Sequence, residues 1–332
     1  MDDSSLMITK DQPDISVIMP ARNAALTIVS ALRSILNQGR LLEVIVIDDG
    51  SRDNTAELVE SLNDSRVRVI LGPCSGISAA LNTGFAAARG RYIARCDSDD
   101  FFTPSRLERQ AAFLDAHPEF VAVEGGYFTV DSHNRVLAEL VCGGEPREVT
   151  DLLRAGKVQS HLCTWLIRYD AIVTSGGARE WFQTAEDIDL QFRLSCLGRV
   201  WHMPEPMYRY RLHEGSITHG QKTARLGFFD KMAIEFLNER RRNGRDSLDL
   251  GEFPSIPDFS QEHEDNSKNN FLLNQILGHM TSQSWRDYDN GLYAQALGRM
   301  VKVVCRAPLR PAGWRGLAVM CIKRIQAFTR RH

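Results

Sequence analysis

The chain has 332 residues, 43% of them hydrophobic, and a formal charge of -2. That is apolar material for one large domain or two modest ones, and the near-neutral balance names no nucleic-acid partner. Seven scattered cysteines (74, 96, 142, 163, 196, 305 and 321) form no close CxxC pair, which argues against a disulfide scaffold or zinc knuckle and for reduced thiols.

The start, MDDSSLMITKDQPD, is acidic and polar and lacks the basic and apolar regions of a signal peptide. Nowhere do eighteen apolar residues run together, so no conventional spanning helix is expected. Residues 15–19 are a short apolar run stopped by Pro20; they read as a buried strand opening into Pro20-Ala21-Arg22-Asn23. Residues 24–38 carry Leu26, Val29, Leu32, Ile35 and Leu36 at helical spacing. Residues 42–47 form a second strand, ending at Asp48-Asp49-Gly50-Ser51. Residues 53–62 suit a helix capped by Asp53 or Asn54, and 67–70 a third strand. Residues 77–88 read as a helix of small residues closed by Gly90 as a left-handed cap. Residues 92–96 are the fourth strand, with Cys96-Asp97-Ser98-Asp99-Asp100 at its carboxyl end.

Four alternations of strand and helix within about a hundred residues predict a mainly parallel sheet covered on both faces. Right-handed connections then bring the carboxyl ends of the strands to one edge, where Asp48, Asp49, Asp97, Asp99 and Asp100 converge. Beyond Pro104 the pattern predicts a helix to Leu114 and strands over 121–130 and 136–141 joined by a turn. It predicts a helix over 147–155, a strand over 161–168, a helix over 188–196 and a long helix over 220–243. Residues 244–270 read as a polar linker, and helices follow.

Three carboxylates in four positions repel one another. A divalent cation resolves that conflict, because Asp97 and Asp99 are hard oxygen ligands and substrate phosphates complete the shell of Mg²⁺ or Mn²⁺. A second acidic run, Thr184-Ala185-Glu186-Asp187-Ile188-Asp189, opens a helix. Thr184 or a neighbour would cap it, and carboxylates in a first turn are stabilised by its free amides. The apolar neighbours Ile188, Leu190 and Phe192 would seat this helix start against a core.

The stretches ISVIMPARN, LEVIVIDDGSRDNT, GISAALNTGFAAARGRYIARCDSDD and TAEDIDLQFRL, spread over about residues 14–215, resemble the motif set of family 2 glycosyltransferases of the bacterial surface-polysaccharide type. The resemblance implies a GT-A (Rossmann-like) α/β fold with a helical C-terminal extension. It implies inverting transfer of a sugar from a nucleoside diphosphate donor, commonly a UDP-sugar, to an acceptor hydroxyl with Mn²⁺ or Mg²⁺. Pro20, Arg22 and Asn23 would border the nucleotide, and one of Asp48 and Asp49 would accept a hydrogen bond from the base. Asp97 would lie near ribose and metal, and Asp99 would be the principal metal ligand. Asp100 would support the loop or contact the sugar, and His161 lies in a segment that resembles the family's acceptor side; Trp181, five residues before Glu186, reads as a sugar-stacking face or a packed ring. Asp187 would be the general base, with Glu186 in support. The segment Tyr208-Arg209-Tyr210-Arg211-Leu212-His213 resembles the family's closing element, in which Arg211 would reach the diphosphate and His213 the metal. An arginine the family often carries before Gly84 is replaced here by Leu81-Asn82-Thr83, so Arg22 or Arg95 would have to supply its charge.

A nucleotidyltransferase would need a glycine-rich basic loop after the first strand, and a dinucleotide oxidoreductase G-x-G-x-x-G; neither is present. A non-catalytic sugar-nucleotide-binding homologue is the remaining rival. The expected organisation is a GT-A domain over 1–243, with a nucleotide-sugar half over about 14–104 and an acceptor half over about 105–215, then the linker 244–270 and a basic helical region over 271–332. Residues 290–332 contain nine Lys and Arg and no Asp or Glu. With apolar residues interleaved, the segment 297–331 is expected to lie on an anionic membrane, where lipid-linked saccharide acceptors reside. The expected place is cytoplasmic, peripheral on the inner face of the membrane.

Overall fold

The computed structural model describes residues 13–142, 144–213, 223–259, 268–289 and 291–329. The first twelve residues, 260–267 of the polar stretch and the basic Arg330 and Arg331 lie outside the described residues. The chain forms two compact units. One comprises 1–127, 141–209 and 222–261, and the other 128–140, 210–221 and 262–332.

The first unit is built on β1 (Ile15–Ala21) and β2 (Leu42–Asp48), every residue of which is buried. Strands covered on both faces read as near-continuous apolar runs, as these do apart from the buried Ser16 and Glu43. β1 pairs in parallel with β2 and with β4 (Tyr92–Arg95), and β2 in parallel with β3 (Val67–Leu71). The register sets Ala21 level with Asp48 and Ile18 level with Arg95. Helices α1 (Ile28–Leu36), α2 (Thr55–Glu60) and α3 (Ile77–Ala87) connect these strands. The small residues of α3 let it lie close on the sheet: a Cβ on Gly84 would stand 2.3 Å from Cγ2 of Ile18.

Gly90 is not the left-handed cap expected from its position, for it is absent from the positive-φ glycines. Its reason is a close crossing of backbone. A Cβ there would lie 2.5 Å from the Ser16 amide nitrogen and 2.7 Å from the Ile15 carbonyl carbon. The Gly90 amide donates to Ser16 Oγ at 2.8 Å, and that hydroxyl donates to buried Glu43 at 2.7 Å. Because β1 cannot move aside, Gly90→Ala is expected to destabilise the fold by about 1–3 kcal/mol. Urea unfolding checks it; an unchanged midpoint would mean that the crossing relaxes freely.

The sheet continues through β5 (Phe101–Phe102), β6 (Phe120–Val130), β7 (Val136–Leu140), β8 (Arg147–Glu148), β9 (Leu166–Arg168) and β10 (Arg199–Arg211). Its order is β3-β2-β1-β4-β9-β6-β10-β5, with β7 beside β6 and β8 beside β10. The β4–β9, β9–β6, β10–β5 and β10–β8 pairs are antiparallel, so a parallel half is extended by an antiparallel one. Helices α4 (Arg106–Ala116), α5 (Thr150–Arg154), α6 (Tyr169–Ser175), α7 (Glu186–Leu197) and α8 (Thr223–Asn243) complete this part. The fold is the GT-A-like α/β arrangement with a helical extension.

Three local expectations differ. The strand expected over 161–168 is a 3-10 turn, Leu162–Thr164, followed by the short β9. The helix expected over 147–155 begins only at Thr150, after β8. The thirteen-residue β10 went unread because Pro204 and Pro206 interrupt it. Both prolines fall between the stretch paired with β8 (Trp201, His202) and the stretch paired with β5 (Tyr208, Arg209), where that side of the ladder needs no N–H.

The second unit holds α9 (Lys268–Asp289), α10 (Tyr293–Arg306) and α11 (Pro311–Thr329) beside β7. Its core gathers Leu137, Met280, Ala296, Met300, Val303 and Met320. Pro308 and Pro311 separate the last two helices, as their spacing predicts. No helix of the described residues is long and apolar enough to cross a membrane.

Candidate active site

β2 lies on one side of β1 and β4 on the other, so the strand order changes direction there. Such a switch point opens a crevice at the carboxyl ends of the strands. β1 leads there into Arg22 and Asn23, and β4 into Asp97.

The first wall is a pair of loops tied together. Asn23 takes a left-handed conformation, φ 53°. Its amide donates to Ser51 Oγ at 2.9 Å, and its side-chain oxygen accepts from the Arg52 amide at 2.8 Å. The Ala24 amide donates to Thr55 Oγ1 at 2.8 Å. Asp48 and Asp49 are both buried. Asp48 accepts from the Ser51 amide at 2.8 Å, and Asp49 from the Cys74 amide at 2.7 Å. Asp49 thus fixes the loop after β3 as well as its own. Pro20 is buried in β1, and Arg22 is exposed.

The second wall is built on Arg95. Residues two apart on a strand share a face, and Arg95 Nε donates to Asp97 Oδ1 at 2.8 Å. Its Nη1 lies 3.3 Å from Glu186 Oε1, at the start of α7. One largely buried guanidinium therefore joins the strand-end carboxylate to the acidic helix start. Burial works against that charge, but Asp97, Glu186 and Asp187 overcome it and hold the guanidinium proton well above its ordinary range. Two further groups clamp Asp97. Burial and Asp97 keep the Cys163 thiol protonated, and it donates to Asp97 Oδ2 at 3.4 Å. The Asp97 amide donates to the Tyr208 hydroxyl at 3.0 Å. The Asp100 amide closes the turn onto the Asp97 carbonyl at 3.1 Å. Asp99 lies within this turn, partly exposed.

α7 starts from Ala185, not from a side-chain cap; Ala185 is left-handed at φ 62° and Thr184 makes no cap bond. Phe182, Phe192 and Phe229 seat this start, as its apolar neighbours predict. The three acids then divide. Asp189 is buried and paired with Arg193 at 2.7 Å and Arg179 at 3.3 Å, which commits it to the fold. Asp187 is half-buried, and its Oδ1 accepts from the Ile188 amide at 2.9 Å. Burial, then Asp187, push the Glu186 carboxyl up to about 7 against the pull of Arg95. Burial holds the His161 imidazole below its ordinary range, opposed by Asp187 and Asp97, and its ring meets Tyr127 edge-on at 5.0 Å. Burial, then Asp187, raise the Asp230 carboxyl on α8.

The raised Glu186 carboxyl has a stability consequence. From its ordinary 4.5 to about 7 the folded state holds the proton more tightly than the unfolded chain, so stability falls as pH rises through that window. Glu186→Gln removes this cost. The variant is expected to be more stable than the parent at about pH 8, by up to about 3 kcal/mol, with the advantage gone near pH 4.5. Urea unfolding at the two pH values checks it, and an equal difference at both would refute it.

The Trp181 ring packs against Phe182, Phe229 and Phe236, with its Nε1 donating to the Pro254 carbonyl at 3.3 Å. Arg211 ends β10 in the second unit, its Nη1 donating to the Ser132 carbonyl at 3.1 Å; His213, half-buried, also belongs to that unit. Among the described residues no three His, Cys, Asp or Glu side chains are grouped to hold a metal by themselves. Asp97 and Asp99 are a pair of hard oxygen donors, which fits a cation whose other positions substrate phosphates fill.

The sequence model described as glycosyl transferase family 2 matches residues 16–184. The chain belongs to glycosyl transferase family 2. The succinoglycan biosynthesis protein ExoO of Rhizobium meliloti (strain 1021) is 34% identical over 257 residues, 71% of this chain and 70% of that protein. The hyaluronan synthase of Pasteurella multocida is 29% identical over 252 residues, 74% of this chain but 25% of that longer enzyme. Among solved structures, S. aureus TarS 1–349 in complex with UDP-GlcNAc aligns with a TM-score of 0.56 at 19% identity, over 88% of this chain and 91% of that one. At that identity the likeness is one of fold. The family match covers both the tied loops of the first wall and the Arg95–Asp97 strand end, and stops just before Glu186.

Proposed function

We propose that the protein transfers a sugar from a UDP-sugar to an acceptor hydroxyl, with inversion, in the synthesis of a bacterial surface polysaccharide. The observation that carries the reading is the Asp97–Arg95–Glu186 bridge, because it links the donor-side strand end to the helix start bearing the candidate base. The names of the relatives agree: one serves succinoglycan synthesis, another makes hyaluronan, and the TarS structure holds UDP-GlcNAc.

In this reading the loop from Pro20 to Asn23 borders the nucleotide, and Asp48 or Asp49 accepts from the base. A Mn²⁺ or Mg²⁺ ion held by Asp97 and Asp99 would offset charge on the departing diphosphate. Asp187 accepts the proton of the attacking hydroxyl. Glu186, Asp100 and His161 line the sugar and acceptor side, with Trp181 behind them. Arg95 takes the place of the arginine missing before Gly84, acting through the carboxylates it holds.

The test is a hydrolysis screen of UDP-, GDP- and dTDP-sugars with Mn²⁺, followed by NMR of the anomeric configuration of any transferred sugar. The expected result is chelator-sensitive turnover of a UDP-sugar and a β-linked product from an α-linked donor. Turnover of none would favour a non-catalytic sugar-nucleotide-binding homologue. A peripheral place on an anionic membrane belongs to the same reading. Leu309, Trp314 and Ile322 are exposed, with Arg315 on the same stretch of α11. Apolar groups among basic ones suit a headgroup layer.

A further inference from the structure

The second unit contains a cavity of about 880 Å³, within the size range of ligand sites. One of its walls is a stripe of α10: Gln295, Gly298, Arg299, Lys302, Cys305 and Arg306. These residues recur at helical spacing, so they form one face. The other face of α10 is spent on the core, through Ala296, Met300 and Val303. The stripe is a basic face that also ties α10 to its neighbours, Arg299 donating to the Leu137 carbonyl at 2.9 Å and Arg306 to Met280 Sδ at 3.1 Å. Leu137 and Met280 supply an apolar wall. A Cβ on Gly298 would meet nothing within 4 Å, so the glycine leaves room.

The charges name the occupant. Arg135, Arg299, Lys302 and Arg306 line the cavity with one acid, Glu139. Arg135 is paired with Asp131 at 2.8 Å and Arg299 with Asp287 at 3.2 Å. Lys302 and Arg306 have no carboxylate partner among the described residues. Four cations against three carboxylates leave one positive charge beside an apolar wall. A single negative charge attached to an apolar body complements that, whereas a free anion would leave the wall unused. We propose that this cavity binds the phosphodiester head of an anionic lipid, with Lys302 and Arg306 on the phosphate and the first acyl carbons against Leu137 and Met280.

The test is calorimetric titration of the full chain with monomeric dihexanoyl phosphatidylglycerol, with dihexanoyl phosphatidylcholine and inorganic phosphate as controls. It requires no turnover, so its failure would leave the glycosyl-transfer reading untouched. The parent protein is expected to bind phosphatidylglycerol saturably and each control at least about tenfold more weakly. Lys302→Glu should weaken binding by about tenfold or more, and Glu139→Gln should strengthen it. Gly298→Leu keeps every charge but fills the cavity, and it should abolish binding without lowering the thermal midpoint, since leucine is the better helix former. No binding by the parent protein would overturn the proposal, as would parent-like binding by both Lys302→Glu and Gly298→Leu. Phosphate binding as tight as lipid binding would replace the lipid by a free anion. If Gly298→Leu does not fold, the opposite shifts expected from Lys302→Glu and Glu139→Gln still decide.

Discussion

Replacing Asp187 by asparagine is expected to lower turnover by at least about 100-fold, in line with the loss of a general base, while donor affinity stays near that of the parent protein. The geometry narrows the choice of base by elimination. Asp189, the third acid of the same first turn, is locked between Arg193 and Arg179. Glu186 shares its charge with Arg95, and its carboxyl is held up to about 7, so near neutral pH much of it carries a proton. Asp187 is half-buried, and its Oδ1 accepts from the amide that follows it. The asparagine keeps the size of the side chain and removes its basicity, so it separates proton transfer from packing. Donor binding by calorimetry and turnover by product release should be measured apart. A second effect accompanies the first: Asp187 helps raise Glu186, so the variant's Glu186 should titrate below about 7. Full turnover in Asp187→Asn, with loss in Glu186→Gln, would move the base to Glu186. The acid limb of the rate profile would then fall near 7.

The parallel half of the sheet was legible because its strands are mostly apolar runs with Pro20, Asp48 and Asp97 at or just past their carboxyl ends, and such residues are strong local signals. Gly90 was visible as a break, but its cause was not. A crossing of two backbone segments more than seventy residues apart leaves no local pattern, whereas a left-handed cap does. β10 was hidden by its prolines, since the gap in the ladder that tolerates them is a property of its neighbours β8 and β5. At the site, the carboxylates could be read from their clusters, and Arg95 stood beside Arg22 as a substitute for the arginine missing before Gly84. Cys163 and Tyr208 come from a turn and an antiparallel strand. Only the folded chain assembles them, and their residue types are as common in cores and on surfaces as in active sites. Ala185 belongs with them: a left-handed alanine at a helix start has no preference to betray it, and Thr184 beside it is the more obvious cap.

Replacing Asp99 by alanine is expected to reduce turnover by a few hundred-fold, on the order of 3 kcal/mol of transition-state stabilisation, with the fold intact. Of the two strand-end aspartates it is the cleaner probe. Asp97 accepts from Arg95 and from the Cys163 thiol, and its amide donates to Tyr208, so its removal would release the buried Arg95 charge as well. Removal of one partner from a buried pair is itself strongly destabilising, and a lost activity there would be ambiguous. Asp99 lies in the turn after β4 and is partly exposed, so its loss should spare the thermal midpoint. If the cation is held by one or two carboxylates with the diphosphate completing its shell, its affinity must depend on donor and on Asp99 together. The expected observation is that Mn²⁺ binds the parent protein more tightly when UDP is present, and that this coupling disappears in Asp99→Ala along with turnover. Retention of full turnover with an unchanged Mn²⁺ requirement would remove Asp99 from the metal. Undiminished activity of the parent protein after complete chelation would remove the metal from the reaction, and the charge on the departing diphosphate would then have to be met by this chain's own cations, beginning with the exposed Arg22 at the end of β1.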